Sequence, residues 1–414
     1  MLKNLTICGF KSVLRMDSGI QPGQVNVLIG ANGSGKSAFL EAVGVLSAAV
    51  AGRVDEESLR FRGVRLGTPG LYKSSFHGLE RLPASIDLGF MWANTKGAWE
   101  YSVSLMNRSG KPEPVWKFCS EELSLNNKSL IRRSESAAKL SVFKSGGQKN
   151  SDEKIEIDRH KGSLAFARGI GPFQEAEDMF GALEEYALYS PRTPVLRGVE
   201  TDSIQKDPLG LCGGRLADAV ETLTDYEDEM FGDLDLDDLL DILGWVDQMK
   251  VGRPTAGMLS PSVPRPSKVL RLTDRFMHAG HNELTAYDAS EGVLYTLFVL
   301  ALAMHPKAPR FFAIDNFDQA MHPRLARKTA DFFCQAVLKN SRRPIVFFTT
   351  HNPLVLDGLD LSDERICLFA VDRNSEGHTK IRKVLLSPDL LAEGAKGIPL
   401  SRLWVMGRLG GLNI

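Results

Sequence analysis

Apolar and polar positions alternate from residue 3 to residue 29 and close on Val25-Asn26-Val27-Leu28-Ile29, a run that reads as a buried strand. A glycine-rich turn follows, and Ala38 to Val50 is apolar over helical length, so strand, loop and helix are expected in that order. From Ile86 the period becomes two. Ile86, Leu88, Phe90 and Trp92 alternate with Asp87, Gly89 and Met91; after a turn at Ala93 to Gly97, Trp99, Tyr101, Val103 and Leu105 alternate with Glu100, Ser102 and Ser104. This predicts an antiparallel hairpin with one solvated face, and alternation such as Lys154 to Asp158 extends the β-rich stretch to about residue 160.

Residues 169 to 250 change to helical patterns, with Leu234, Leu236, Leu239, Leu240, Ile242 and Leu243 supplying an apolar face. Pro254, Pro261, Pro264 and Pro266, set among Gly and Ser, mark 252 to 268 as a linker. Beyond it come a helix from Gly292 to His305, a strand from Phe311 to Ile314, a helix from Pro323 to Leu338 and a strand from Ile345 to Phe348. Strands apolar at consecutive positions belong to a parallel sheet covered on both faces.

Charge changes this picture only locally. The 414 residues carry 50 Lys+Arg against 51 Asp+Glu, a net charge of −1, so any nucleic-acid or membrane partner must be held by a local patch. Between Asp218 and Asp247 stand 12 acids and no Lys or Arg, which reads as a solvated helical surface, a divalent-metal cluster being the alternative. Lys250, Arg253, Arg265, Lys268, Arg271 and Arg275 make the return from the linker basic, to face either phosphates or the acidic run. The longest uncharged stretch, Gly292 to Pro306, has 15 residues against the roughly 20 a membrane helix needs. With no secretory leader pattern and five scattered cysteines lacking a CxxC pair, a cytoplasmic protein is expected.

The strongest chemical signal is Gly30-Ala31-Asn32-Gly33-Ser34-Gly35-Lys36-Ser37, a GxxxxGK[ST] loop set between a predicted strand and helix. Its amides can curl around phosphates, Lys36 can reach the β- and γ-phosphates and Ser37 can hold Mg²⁺. An acid on a neighbouring strand should complete the metal shell, and Asp315 ends the apolar run Phe311 to Ile314.

With these residues in view the chain resembles the ABC-type ATPase heads of the structural-maintenance-of-chromosomes, RecF and overcoming-lysogenisation-defect group. The GxNGSGKS loop is typical of that group, and Ile7-Cys8-Gly9-Phe10-Lys11-Ser12 is similar to its opening motif. Ala289-Ser290-Glu291-Gly292 looks like a divergent ABC signature, and Thr349-Thr350-His351-Asn352-Pro353 looks like the switch histidine after a strand. The resemblance implies an α/β fold: a P-loop head with a mixed or parallel core sheet, an antiparallel β subdomain and a helical insertion. It divides the chain into an N-terminal lobe at 1–168, an acidic helical insertion with linker at 169–265 and a C-terminal lobe at 266–414.

It also implies ATP and Mg²⁺ as cofactors, with Ser37 and Asp315 on the metal, Lys11 and Ser12 near the phosphates and His351 at the γ-phosphate. Ser290, Glu291 and Gly292 would close the site of another subunit, so a homodimer or larger homo-oligomer is expected. The residue after the metal acid is normally a glutamate; here it is Asn316, which can orient water and cannot take its proton. Slow hydrolysis follows, with Asp318 or His351 partly compensating. The glutamine loop of the group has no obvious counterpart; Gln148 and Gln174 are the candidates.

The insertion is too short for a long coiled coil, and the 63 residues after His351 (414 − 351) are too few for a Toprim nuclease domain. The resemblance therefore points to an ATPase working with a separately encoded effector, a nuclease or toxin, in bacterial antiphage defence. A RecF-like ATPase acting directly on DNA and a nucleotide-locked scaffold are the alternatives. DNA is a candidate partner through Arg132, Arg133, Lys139, Lys144 and Lys149; a membrane is not.

Overall fold

The strands of the first part of the chain are β1 (Leu2–Phe10), β2 (Val13–Arg15), β3 (Val25–Ile29), β4 (Ile86–Asn94), β5 (Gly97–Met106), β6 (Lys117–Leu125), β7 (Lys128–Ser134), β8 (Ala137–Phe143) and β9 (Lys149–Glu156). They are followed by β10 (Ala187–Tyr189), β11 (Val246–Gly252), β12 (Val269–Asp274), β13 (Glu283–Thr285), β14 (Phe311–Ile314), β15 (Ile345–Thr350), β16 (Ile366–Arg373) and β17 (Thr379–Lys383). The computed structural model describes all residues except 109–111, 135–136, 144–148, 169–170, 226–235, 256–257, 260, 262–265, 386–396 and 412–414. Two units emerge: residues 1–188, 367–385 and 409–414 form the first, and 189–366 with 386–408 the second.

In the first unit eight strands make an antiparallel sheet in the order β2-β1-β4-β5-β6-β7-β8-β9. The alternation in β5 is literal: Trp99, Tyr101, Val103 and Leu105 are buried while Glu100 and Ser102 face solvent. The hairpin turn is tighter than expected. Ala93 still pairs with Ala98 and Asn94 with Gly97, leaving Thr95 and Lys96 as a two-residue turn, with Asn94 Oδ1 accepting from Lys96 N at 3.0 Å. Behind the sheet, the Glu121 carboxylate is buried and accepts from Tyr101 Oη at 3.0 Å and from the amides of Ser163 and Leu164. Burial pushes its pKa up against these donors.

Arg133, expected as a surface cation, is 2% exposed. Its guanidinium donates to Asp158 O at 3.0 Å and to Lys161 O, and lies 5.7 Å from the Phe118 ring, so its donors are spent inside the fold. Arg132 remains at the surface and pairs with Glu122 at 3.0 Å. Lys139 and Lys149 lie in β8 and β9 rather than in a loop, and Lys144 is outside the described residues.

β3, β16 and β17 of this unit are neighbours in a second sheet, and β16 pairs antiparallel with β17. β3 is buried at all five positions, as a strand covered on both faces must be. The helix Lys36–Val50 behind it is buried nearly throughout.

In the second unit β14 runs parallel to β15 in the register Phe311↔Ile345 to Ile314↔Phe348, with every residue of both strands buried. The helix Glu291–Met304 is buried at every position from Val293 to Met304, the expected placement for a helix apolar all round. Within 169–265 stand the helices Glu177–Glu184, Leu216–Asp225 and Leu236–Leu243, and also β11. β11 pairs with β12 across the proline-rich stretch and β12 with β13, a small antiparallel sheet that the sequence pattern did not announce. Part of the acidic run, 226–235, and Arg265 lie outside the described residues. Where the run is described Lys268 meets it, its Nζ pairing with Glu221 and, at 3.2 Å, with Asp218, while Arg271 pairs with Glu283 instead.

All five cysteines are free thiols. Among the described residues no helix is long and apolar enough to cross a membrane.

Candidate phosphate-binding and water-orienting sites

β3 delivers the chain at Gly30 into a loop whose apex, Asn32 and Gly33, is exposed and whose far side, Ser34 and Lys36, is buried. Gly35 is the N-cap of the helix Lys36–Val50, at φ 111°. A Cβ there would sit 2.1 Å from Thr379 Oγ1, so both the backbone conformation and the crowding demand glycine. No side chain caps this helix and no acid stands in its first turn, leaving its amides and positive dipole end suited to an anion. Lys36 Nζ folds back over the loop, donating to Gly30 O at 2.8 Å and Ala31 O at 2.9 Å. Ser37 is the second residue of the helix, half-buried. Ser34 is 3% exposed, and its Oγ has no hydrogen-bond partner. An orphaned buried hydroxyl beside an uncapped helix start fits a phosphate group, whose oxygens would accept from it.

Lys11 takes a left-handed conformation, φ 47°, immediately after β1. Its ammonium pairs with Glu41 and lies 5.5 and 5.4 Å from the rings of Phe10 and Tyr72. Glu41 is 1% exposed on the helix Lys36–Val50 and is also held by Arg65 Nε at 2.6 Å. Ser12 is buried, its Oγ 2.8 Å from Thr379 Oγ1. Neither Thr379 nor Glu41 was foreseen. Thr379 has no local signal, since it stands 345 residues from Ser34, which it touches; Glu41 had one, a lone acid inside the apolar run Ala38 to Val50.

In the second unit β14 ends at Asp315, whose amide donates to Tyr189 O at 2.9 Å. Asp315 Oδ1 accepts from Thr349 Oγ1 at 2.7 Å. The same hydroxyl oxygen accepts from Asn316 N at 2.8 Å, and Phe317 N donates to Thr349 O at 2.9 Å. Phe317 then stacks on Phe348 with ring centroids 4.4 Å apart, pinning the turn to β15. Asn316 has φ 59°, a left-handed position that asparagine tolerates better than most side chains. Asp318 Oδ1 accepts from the His351 amide at 3.3 Å, and the His351 side chain is exposed. Asp315, Asn316, Asp318 and His351 therefore share one corner of the second unit.

Ser290 is the N-cap of the helix Glu291–Met304, makes no side-chain cap and is exposed, as is Glu291. Gly292 packs on the turn that follows Asp315, because a Cβ there would lie 2.9 Å from Ala320 O. Gln174 is exposed in the short 3₁₀ helix Gly171–Ala176, and Gln148 is outside the described residues. Among the described residues no group of three or more His, Cys, Asp or Glu is arranged to hold a metal by itself.

A family model described as "AAA domain, putative AbiEii toxin, Type IV TA system" matches residues 25–357. No curated protein matches the sequence. Among solved structures, one titled as the SmcHead bound to the C-winged helix domain of ScpA is 12% identical, with a TM-score of 0.52 over 96% of this chain and 99% of that one. The Smc head domain with an extended coiled coil bound to the C-terminal domain of ScpA, derived from Pyrococcus furiosus, is 11% identical, with a TM-score of 0.51 over 96% and 99% of the two chains. At these identities the likeness is one of fold: a mixed α/β ABC-type head.

Proposed function

The chain belongs to the AAA domain family whose model covers residues 25–357, and on that premise we propose that it is a slowly hydrolysing ABC-type ATPase that assembles around ATP to control a separate effector. The observation that carries ATP binding is the phosphate loop: an uncapped helix start, a retracted Lys36 and the partnerless buried Ser34 Oγ. Bound Mg²⁺·ATP supplies the phosphoanhydride bond to be hydrolysed. Lys36 and the loop amides bind its phosphates; Lys11 and Ser12 lie at the loop's edge. The proposed Mg²⁺ ligand of the first unit is Ser37 and that of the second is Asp315. Asn316 and His351 orient water, with Asp318 holding the start of the His351 segment.

Ser290 and Gly292, exposed and half-buried at an uncapped helix N-terminus, are suited to the γ-phosphate of ATP held by a second copy. Homodimers or larger homo-oligomers formed in this way would last, because Asn316 cannot act as a base. The effector we propose is a separately encoded nuclease or toxin in antiphage defence, in the cytoplasm. The family's toxin–antitoxin description and the burial of Arg133 both favour this over direct action on DNA.

Affinity purification of the tagged protein from its native cells in ATP and Mg²⁺, with mass spectrometry, tests it. A stoichiometric nuclease or toxin is the expected result. Recovery of the chain alone, or with DNA-repair proteins, would contradict the effector role.

A further inference from the structure

We infer that Thr379, the first residue of β17, holds the phosphate loop in its anion-binding shape, a positioning role that rests on the ATP-binding function proposed for that loop. Thr379 is 1% exposed. Its amide donates to Ser12 O at 2.8 Å, fixing the β17 end against the turn that carries Lys11 and Ser12. Its Oγ1 lies 2.7 Å from Ser34 O and 2.8 Å from Ser12 Oγ. A hydroxyl has one proton and a carbonyl can only accept. Thr379 therefore donates to Ser34 O and accepts from the Ser12 hydroxyl, a chain running Ser12 to Thr379 to Ser34.

The Ser34 carbonyl shares its peptide plane with the Gly35 N–H, and in a trans peptide the two point in opposite directions. Holding Ser34 O toward Thr379 thus turns the Gly35 N–H away from β17, freeing it from intraloop duty as one of the donors that a phosphate loop presents. Gly35 fits this arrangement because the space its Cβ would occupy is filled by Thr379 Oγ1, at 2.1 Å. The Ser34 side chain does not share the task, since its Oγ has no partner. Without the Thr379 hydroxyl a buried carbonyl loses its donor, and rotation of the 34–35 peptide becomes the way to recover one.

The test compares Thr379→Val, which keeps the shape and removes the hydroxyl, with Thr379→Ser, which keeps the hydroxyl. Fluorescence titration with mant-ATP in Mg²⁺ reads Kd, phosphate release reads KM and kcat, and thermal denaturation reads the fold. Thr379→Val should raise Kd and KM about tenfold with kcat within about twofold, and Thr379→Ser should bind within about twofold of the wild type. If Thr379→Val does not fold, Thr379→Ala is held to the same tenfold difference from Thr379→Ser. Wild-type-like affinity in the hydroxyl-free variants, or a Thr379→Ser variant as weak as they are, would overturn the positioning role alone. A wild-type protein that binds mant-ATP no better than Lys36→Ala would overturn the ATP-binding function with it.

Discussion

Thr349 Oγ1 lies 2.7 Å from Asp315 Oδ1 and donates to it, while the Asn316 amide, 2.8 Å away, donates to Thr349. One fully buried hydroxyl on β15 thereby sets both the carboxylate proposed for the metal and the backbone of the residue proposed to orient water. Thr349→Val removes the donor and leaves the Asn316 amide short of an acceptor. A loss of about 1–3 kcal/mol in unfolding free energy is expected, together with lower ATPase activity. Thr349→Ser should recover most of both; denaturant titration and phosphate release check the pair.

Asn316 follows Asp315, the proposed Mg²⁺ ligand, at the position where the heads that the chain resembles carry a glutamate. Replacing it by glutamate should raise turnover at least about tenfold, a floor set below the roughly 10²–10⁴-fold that a well-positioned base contributes. The backbone opposes the change: at φ 59° a glutamate is strained by roughly 1 kcal/mol, so the variant should also melt lower. Faster hydrolysis with a lower Tm is the expected combination. Unchanged turnover at saturating ATP would refute the proposal that Asn316 slows hydrolysis.

His305, at the end of the helix Glu291–Met304, is 3% exposed and its Nδ1 accepts from Lys307 N at 3.0 Å. Burial, reinforced by the charges of Lys307 and Arg215, lowers its pKa from 6.5 to about 4. The unfolded chain therefore binds the extra proton between these values. Its contribution to stability is present above pH 6.5 and is lost as pH falls toward 4, up to about 3 kcal/mol. Thermal melts across that window should flatten in His305→Gln.

Much of the core was legible in the chain because its signals are local. β14 is apolar at every position, β3 and β15 carry the apolar runs Val27 to Ile29 and Ile345 to Phe348, the helix Glu291–Met304 is apolar all round, and the β4–β5 hairpin alternates. The phosphate loop and the positions of Asp315, Ser290 and His351 followed from motifs flanked by those elements. What the sequence hid depends on distant partners. β17 is short and largely polar, and Thr379 acquires its role only from Ser12 and Ser34, 367 and 345 residues away. Arg133 belongs to an alternating strand, yet two backbone carbonyls and an aromatic ring let it be buried. β11 and β12 flank a proline-rich segment, so their pairing is visible only in three dimensions.

In the assembly we propose, ATP joins copies of the chain through the exposed Ser290 segment. The direct measurement is native mass with and without ATP and Mg²⁺, for the wild type and for Ser290→Arg, alongside mant-ATP binding by both. The wild type should move to twice its mass or a higher multiple in ATP, while Ser290→Arg binds the nucleotide and stays monomeric. A wild-type mass indifferent to ATP, or a Ser290→Arg variant that assembles equally well, would contradict the account.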